Sequence, residues 1–281
     1  MKITFWGTRG SIAAPGRDTV VYGGNTTCVE ITLSSGRTVV IDAGTGIRNL
    51  GDSLLERHSP LNMHLLITHI HWDHIMGFPF FGPLFRETSH IVVDGFRRGI
   101  EGLKRVFSSN YIDGTWPIRF EDLKAHIEPT QQARRDHFTL DDTLIGTHKL
   151  QHPQGGLGFS FREDTGTFVF LTDNELMEDA WTGTSFKEFA IFCRGADVLV
   201  HDCQYLPEEM KIRRGWGHSD IDSAARLAIE SGVKKLLLFH HDPWRHDQAV
   251  SSMVARCREV LDRANSYCVV DAAQEGASLS V

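Results

Sequence analysis

Between positions 65 and 78 the chain reads Leu-Leu-Ile-Thr-His-Ile-His-Trp-Asp-His-Ile-Met-Gly-Phe, and no other stretch constrains the fold as much. Leu65, Leu66 and Ile67 form an apolar, β-prone run of the kind that makes a buried strand, and Thr68 to His74 follow as the loop leaving its end. Four side chains of metal-ligand type, His69, His71, Asp73 and His74, fall within six residues. Side chains alternate in extended backbone, so His69 and His71 can point the same way. A tightening turn can then bring Asp73 and His74 to a second point, and one loop could supply two metal sites. Imidazole suits zinc, iron or manganese, and a carboxylate in the cluster favours a site that keeps a water over one closed by four strong ligands. A loop of solvated histidines is the bland alternative, and four such side chains directly after an apolar strand weigh against it.

At His69-x-His71-x-Asp73-His74 the sequence resembles the metallo-β-lactamase-fold hydrolases. The resemblance implies an α/β architecture, a four-layer αββα sandwich, with one or two metals at the edge of its two sheets. No Pro/Gly/Ser-rich linker divides the 281 residues, which favours a single domain over 1–281. A net charge of −7 argues against broad electrostatic capture of long nucleic acid. Small anionic substrates stay open, because bound metal supplies local positive charge. Cys28, Cys193, Cys203, Cys257 and Cys268 show no Cys-x-x-Cys pattern and read as reduced thiols, so the expected location is the cytoplasm. The N-terminal residues lack a secretory apolar region, and no apolar run approaches the roughly 20 residues needed to cross a bilayer, so no membrane partner is expected.

Further along, Gly7-Thr8-Arg9-Gly10-Ser11 resembles the opening turn of the ribonuclease Z and cyclic-phosphate phosphodiesterase branch of that family. Arg9 is a candidate phosphate contact beside its default reading as a structural or solvated arginine. Residues 28 to 41 read as a hairpin whose second strand ends at Asp42, a residue that either braces a ligand histidine or forms a turn. Helical spacing runs from Ile47 to His58, and more weakly over residues 97 to 107. The aromatic run from Met76 to Phe85 reads first as core packing, with a pocket wall or an interface as alternatives. His201-Asp202 reads first as a strand-end turn. In the family's settings, His152 corresponds to the third ligand of the first metal, with His148 as competitor. Asp173 ends an apolar strand where the family places a bridging carboxylate. His240 matches the last ligand of the second metal, with His241 as the adjacent alternative. His218 corresponds to a catalytic histidine ahead of a helix that Ser219 can cap, and Asp220 stands where the family has threonine.

Taken together, the resemblance implies His69, His71 and His152 on one metal, Asp73, His74 and His240 on another, and Asp173 between them. The expected cofactors are two divalent ions, zinc first and manganese second. The expected reaction is hydrolysis of a phosphodiester by a water that the cations make acidic, with His218 and Asp73 as catalytic side chains. A cyclic nucleotide or a phosphoribosyl cyclic phosphate is the expected small phosphodiester substrate; the oligomeric state stays open, with a homodimer as the form the resemblance allows. A thioesterase or lactonase, ribonuclease Z-like RNA processing and a non-catalytic nucleotide sensor are the alternatives.

Overall fold

Alternation along short apolar runs decides which layer each side chain enters. In Phe168–Leu171, Phe168 and Phe170 face one core while Val169 and Leu171 face another. Val198, Val200, Leu237 and Phe239 join the first of these, and Leu199, Leu236 and Leu238 the second. Val39, Ile41 and Leu66 meet Phe170 and Phe239 from the opposite side, whereas Val40, Leu65 and Ile67 turn away into a third core. Strands buried on both faces carry continuous apolar runs, and three cores require four layers.

The computed structural model describes residues 1–57, 60–96, 99–114, 116–178 and 184–281. Among them the first sheet contains β1 (Lys2–Gly7), β2 (Cys28–Thr32), β3 (Thr38–Ile41), β4 (Leu61–Ile67), β5 (Ser89–Gly95), β6 (His126–Pro129) and β14 (Ser278–Ser280), in the order β14-β1-β2-β3-β4-β5-β6. The second contains β7 (His137–Leu140), β8 (Thr143–Lys149), β9 (Leu157–Glu163), β10 (Gly166–Leu171), β11 (Val198–Asp202), β12 (Lys235–Phe239) and β13 (Val269–Ala272), in the order β13-β12-β11-β10-β9-β8-β7. Both are mixed: β3 to β6 run parallel in the first sheet and β10 to β13 in the second.

Helices cover both outer faces, so the architecture is the αββα sandwich. On the first sheet lie α1 (Ile47–Arg57), through Ile47, Leu50 and Leu54, and α3 (Gly99–Ile112), through Leu103 and Phe107. Between them in sequence, α2 (Trp72–Ile75) is a single turn. On the second sheet lie α4 (Phe186–Phe192), α6 (Ile221–Ser231) and α7 (Asp247–Arg263), and α5 (Met210–Arg213) is another single turn. His58, the expected end of the first helix, and residues 97 and 98 of the weaker pattern lie outside the described residues. The C-terminal segment contributes a strand to each sheet, β13 and β14. All five cysteines are free. Among the described residues no helix is long and apolar enough to cross a membrane.

His64 is buried on β4 with its Nδ1 unpaired. Burial and the nearby Arg37 guanidinium push its pKa from 6.5 down to about 4. The folded protein therefore keeps this imidazole neutral over a range where the unfolded chain takes up a proton. The stability this group contributes is expected to fall as pH drops from 6.5 towards 4, by at most about 1.4 kcal/mol per pH unit, with no further loss from it below that range. Urea unfolding across pH should show the loss, and His64→Gln should make it shallower by this group's share.

Candidate metal centre

Parallel strands of both sheets end on one rim, where such folds gather their ligand-binding groups. Asp42 follows β3, Thr68 to His74 follow β4, Asp173 follows β10, Asp202 ends β11 and His240 follows β12. His152 joins them from the turn between β8 and β9. His71 is extended (φ −64°, ψ 154°) and the single turn of α2 begins at Trp72, which carries Asp73 and His74 round. Asp42, Asp173 and His240 adopt φ of 60°, 53° and 58°. Left-handed backbone at non-glycine residues is costly and concentrates at functional sites.

Two groups of donor atoms result. His69, His71 and His152 form one, and Asp73, His74, Asp173 and His240 the other. Asp173 faces both. Its Oδ2 lies 3.6 Å from His69 Nε2 and 3.8 Å from His152 Nε2, while its Oδ1 lies 3.2 Å from His74 Nε2 and 3.3 Å from His240 Nε2. Asp73 Oδ2 stands 3.3 Å from His74 Nε2 and 3.1 Å from His240 Nε2. The structure thus brings together all seven residues suggested as metal ligands. It separates out the two competitors: His148 packs against Phe189 and Phe192, and the buried His241 directs Nε2 to the Ala273 carbonyl.

Behind these groups, partners fix which nitrogen of each ring faces inward. His74 Nδ1 is 2.7 Å from Asp42 Oδ2, His152 Nδ1 2.9 Å from the Gly217 carbonyl, and His240 Nδ1 2.9 Å from Gln204 Oε1. Each ring therefore turns Nε2 inward. His71 is reversed, with Nε2 2.6 Å from Gln154 Oε1 and Nδ1 facing His152. Asp42 also accepts hydrogen bonds from the Thr68 amide and hydroxyl, both at 2.7 Å, which makes it a brace for the ligand loop as well as a turn residue. Partners of this kind orient metal-binding histidines. Cations fit the cluster on two further grounds. His69 Nε2 and His74 Nε2 are buried without a hydrogen-bond partner, and imidazole with carboxylate is a donor set for zinc, manganese or iron. Gln204→Leu, which frees His240 Nδ1, is expected to weaken cation binding about 10- to 100-fold, measurable by chelator competition.

Charge is concentrated here. Burial favours protonation of Asp73 and Asp173, yet the surrounding imidazoles hold both carboxyls well below the usual range. Burial opposes a charge on His74, and the carboxylates of Asp173, Asp73 and Asp42 outweigh it and raise its pKa. Burial and neighbouring histidines push His69 down. Two anionic carboxylates in a buried pocket of imidazoles form a receptor for positive charge.

His218 is stacked on His240 at 4.9 Å and lies edge-on to His152 at 5.2 Å. Its Nδ1 is 3.1 Å from Asp202 Oδ2, and Asp202 also accepts from the Ser219 and Asn174 amides. Burial disfavours the imidazolium, but the Asp202 carboxylate outweighs this and raises the pKa of His218. Asp202 is therefore more than a strand-end turn. Its sequence signal was the one shared with Asp42 and Asp173, an acid closing a buried strand. Glu175, buried, accepts from the Gly215 and Gly217 amides and so fixes the loop before His218. Gln154, Gln204 and Glu175 lie in turns without a pattern that marks them.

One local expectation needs correction and one pair of alternatives is resolved. Asp220, not Ser219, caps α6, accepting from the Asp222 and Ser223 amides, because the Ser219 hydroxyl is already bonded to the Asn174 carbonyl. Arg9 is buried and its guanidinium donates to the carbonyls of Gly23, Asp242 and Arg245, so it ties the loop of Gly23 to the loop between β12 and α7, which is its structural reading, and is not free for a phosphate. In the aromatic run, Phe78 and Phe81 pack in the core, whereas Phe80 is exposed against Trp116.

The family model described as "Beta-lactamase superfamily domain" matches residues 37–241. A ribonuclease Z from Archaeoglobus fulgidus is 26% identical over 299 residues, covering 93% of each chain. Among solved structures, the metallo-beta-lactamase fold protein YhfI from Bacillus subtilis superposes with a TM-score of 0.72 at 18% identity, over 99% of this chain and 98% of that one. A diphosphatase from the PhnP family gives 0.69 at 18% identity, over 100% and 97%.

Proposed function

Because this chain belongs to the beta-lactamase superfamily, we propose that its rim holds two divalent cations and that the protein is a metal-dependent hydrolase of a small phosphodiester, a cyclic nucleotide or a phosphoribosyl cyclic phosphate. The observation that carries this reading is the division of Asp173, one oxygen towards each donor group. His69, His71 and His152 would hold one cation, Asp73, His74 and His240 the other, and Asp173 both. The donor set favours zinc, with manganese second. Bound there, two cations make water acidic and neutralise charge that builds on a phosphate. The chain's residues do the rest. Asp42, Gln204 and the Gly217 carbonyl keep the inward nitrogens aimed, and Asp73 is placed to accept a proton. His218 donates its Nδ1 proton to Asp202 and so presents Nε2 to the cluster, where it protonates the leaving oxygen.

The phosphodiester is supported by likeness to ribonuclease Z along nearly the whole chain, and a small substrate by the net charge of −7. The same likeness favours one second reading, RNA cleavage. Turnover of bis-p-nitrophenyl phosphate with zinc or manganese tests the first step, and its absence with metal bound would count against a phosphodiesterase. Parallel assays with cyclic nucleotides and a transfer RNA precursor then separate the two readings.

A further inference from the structure

At the end of β4 and β5 away from the rim, where Asn62 pairs with His90, the first sheet gathers other ligand-type side chains that hydrolysis does not use. His90 on β5 and His126 on β6 are cross-strand neighbours in a parallel pair. Glu128, two residues along β6, shares the face of His126. His90 Nε2 lies 3.1 Å from Glu128 Oε2, and the two imidazole centroids are 4.8 Å apart. One donor atom from each residue falls within 4.8 Å of the other two.

We propose that His90, His126 and Glu128 form a surface site for a borderline divalent transition-metal ion such as zinc, nickel or copper, separate from the rim. Two imidazoles select such ions over magnesium or calcium, whose ligands are oxygens. Three protein donors leave a coordination position to water, as in open zinc sites. Backbone pairing already fixes the spacing of the two strands, so only side-chain torsions need adjust. The ion would take the place of the proton between His90 and Glu128. It would also tie down β6, a four-residue strand ending in Pro129 that pairs with β5 and, among the described residues, stands at the edge of the sheet. The competing account is a plain hydrogen bond between exposed side chains, which contributes little.

Untagged protein, stripped of metal and dialysed against zinc or nickel, is the material for the test. Wild type should retain one equivalent per chain more than His126→Ala or Glu128→Gln, with phosphodiester turnover equal in all three. The extra equivalent should persist in Asp173→Ala, which makes the result independent of the rim. Nickel should raise the Tm of wild type more than that of either variant. Equal metal content in wild type and both variants would overturn the proposal, leaving the hydrogen bond as the full account.

Discussion

Asp173→Ala is expected to release the cations from both donor groups at once and abolish turnover. Each carboxylate oxygen serves a different group, so no single histidine replacement removes as much. Its loss should weaken binding by more than the about 10- to 100-fold that follows loss of an outer hydrogen-bond partner. Element analysis after dialysis, paired with hydrolysis of bis-p-nitrophenyl phosphate, measures both effects. Normal metal content and normal turnover in this variant would place the reaction elsewhere. His71→Ala should be milder in metal content, losing the first group while Asp73, His74, Asp173 and His240 keep the second.

His218→Gln separates chemistry from metal binding. It should keep both cations and lose turnover by about 10²- to 10⁴-fold, the usual scale for a positioned proton donor. The size of the loss should depend on the leaving group. A p-nitrophenolate departs without a proton, so the deficit should be small with p-nitrophenyl esters and full with an alkyl or ribose oxygen. An equal deficit for both would mean that His218 holds the phosphate rather than protonating the leaving group. Asp202→Asn should move turnover in the same direction, since it removes the carboxylate that orients and charges the ring.

Much of this arrangement is legible in the chain because side chains gathered at strand ends leave a pattern: an apolar run followed by an acid or histidine. Leu65–His74, Phe168–Asp173 and Leu236–His240 all show it, and the same runs give the sandwich its layers. Asp202 follows the rule too, yet its partner His218 lies 16 residues on and only the fold brings them together. Gln154, Gln204 and Glu175 were invisible for a related reason. They act through hydrogen bonds to a ring of the cluster or to loop amides, and such bonds impose no spacing. Of the two readings of Arg9, the structural one holds. An arginine in such a turn resembles an anion contact until its donors are traced to carbonyls of two loops, at Gly23 and at Asp242 and Arg245.

The backbone at Asp42, Asp173 and His240 has a consequence for heat resistance. Each of these residues holds a torsion that an L side chain resists by about 1 to 2 kcal/mol. Glycine feels no such resistance, so metal-free Asp173→Gly should melt later than Asp173→Ala although both lack the carboxylate. If so, the rim is a place where the polymer gives up thermal endurance to hold reactive groups in position.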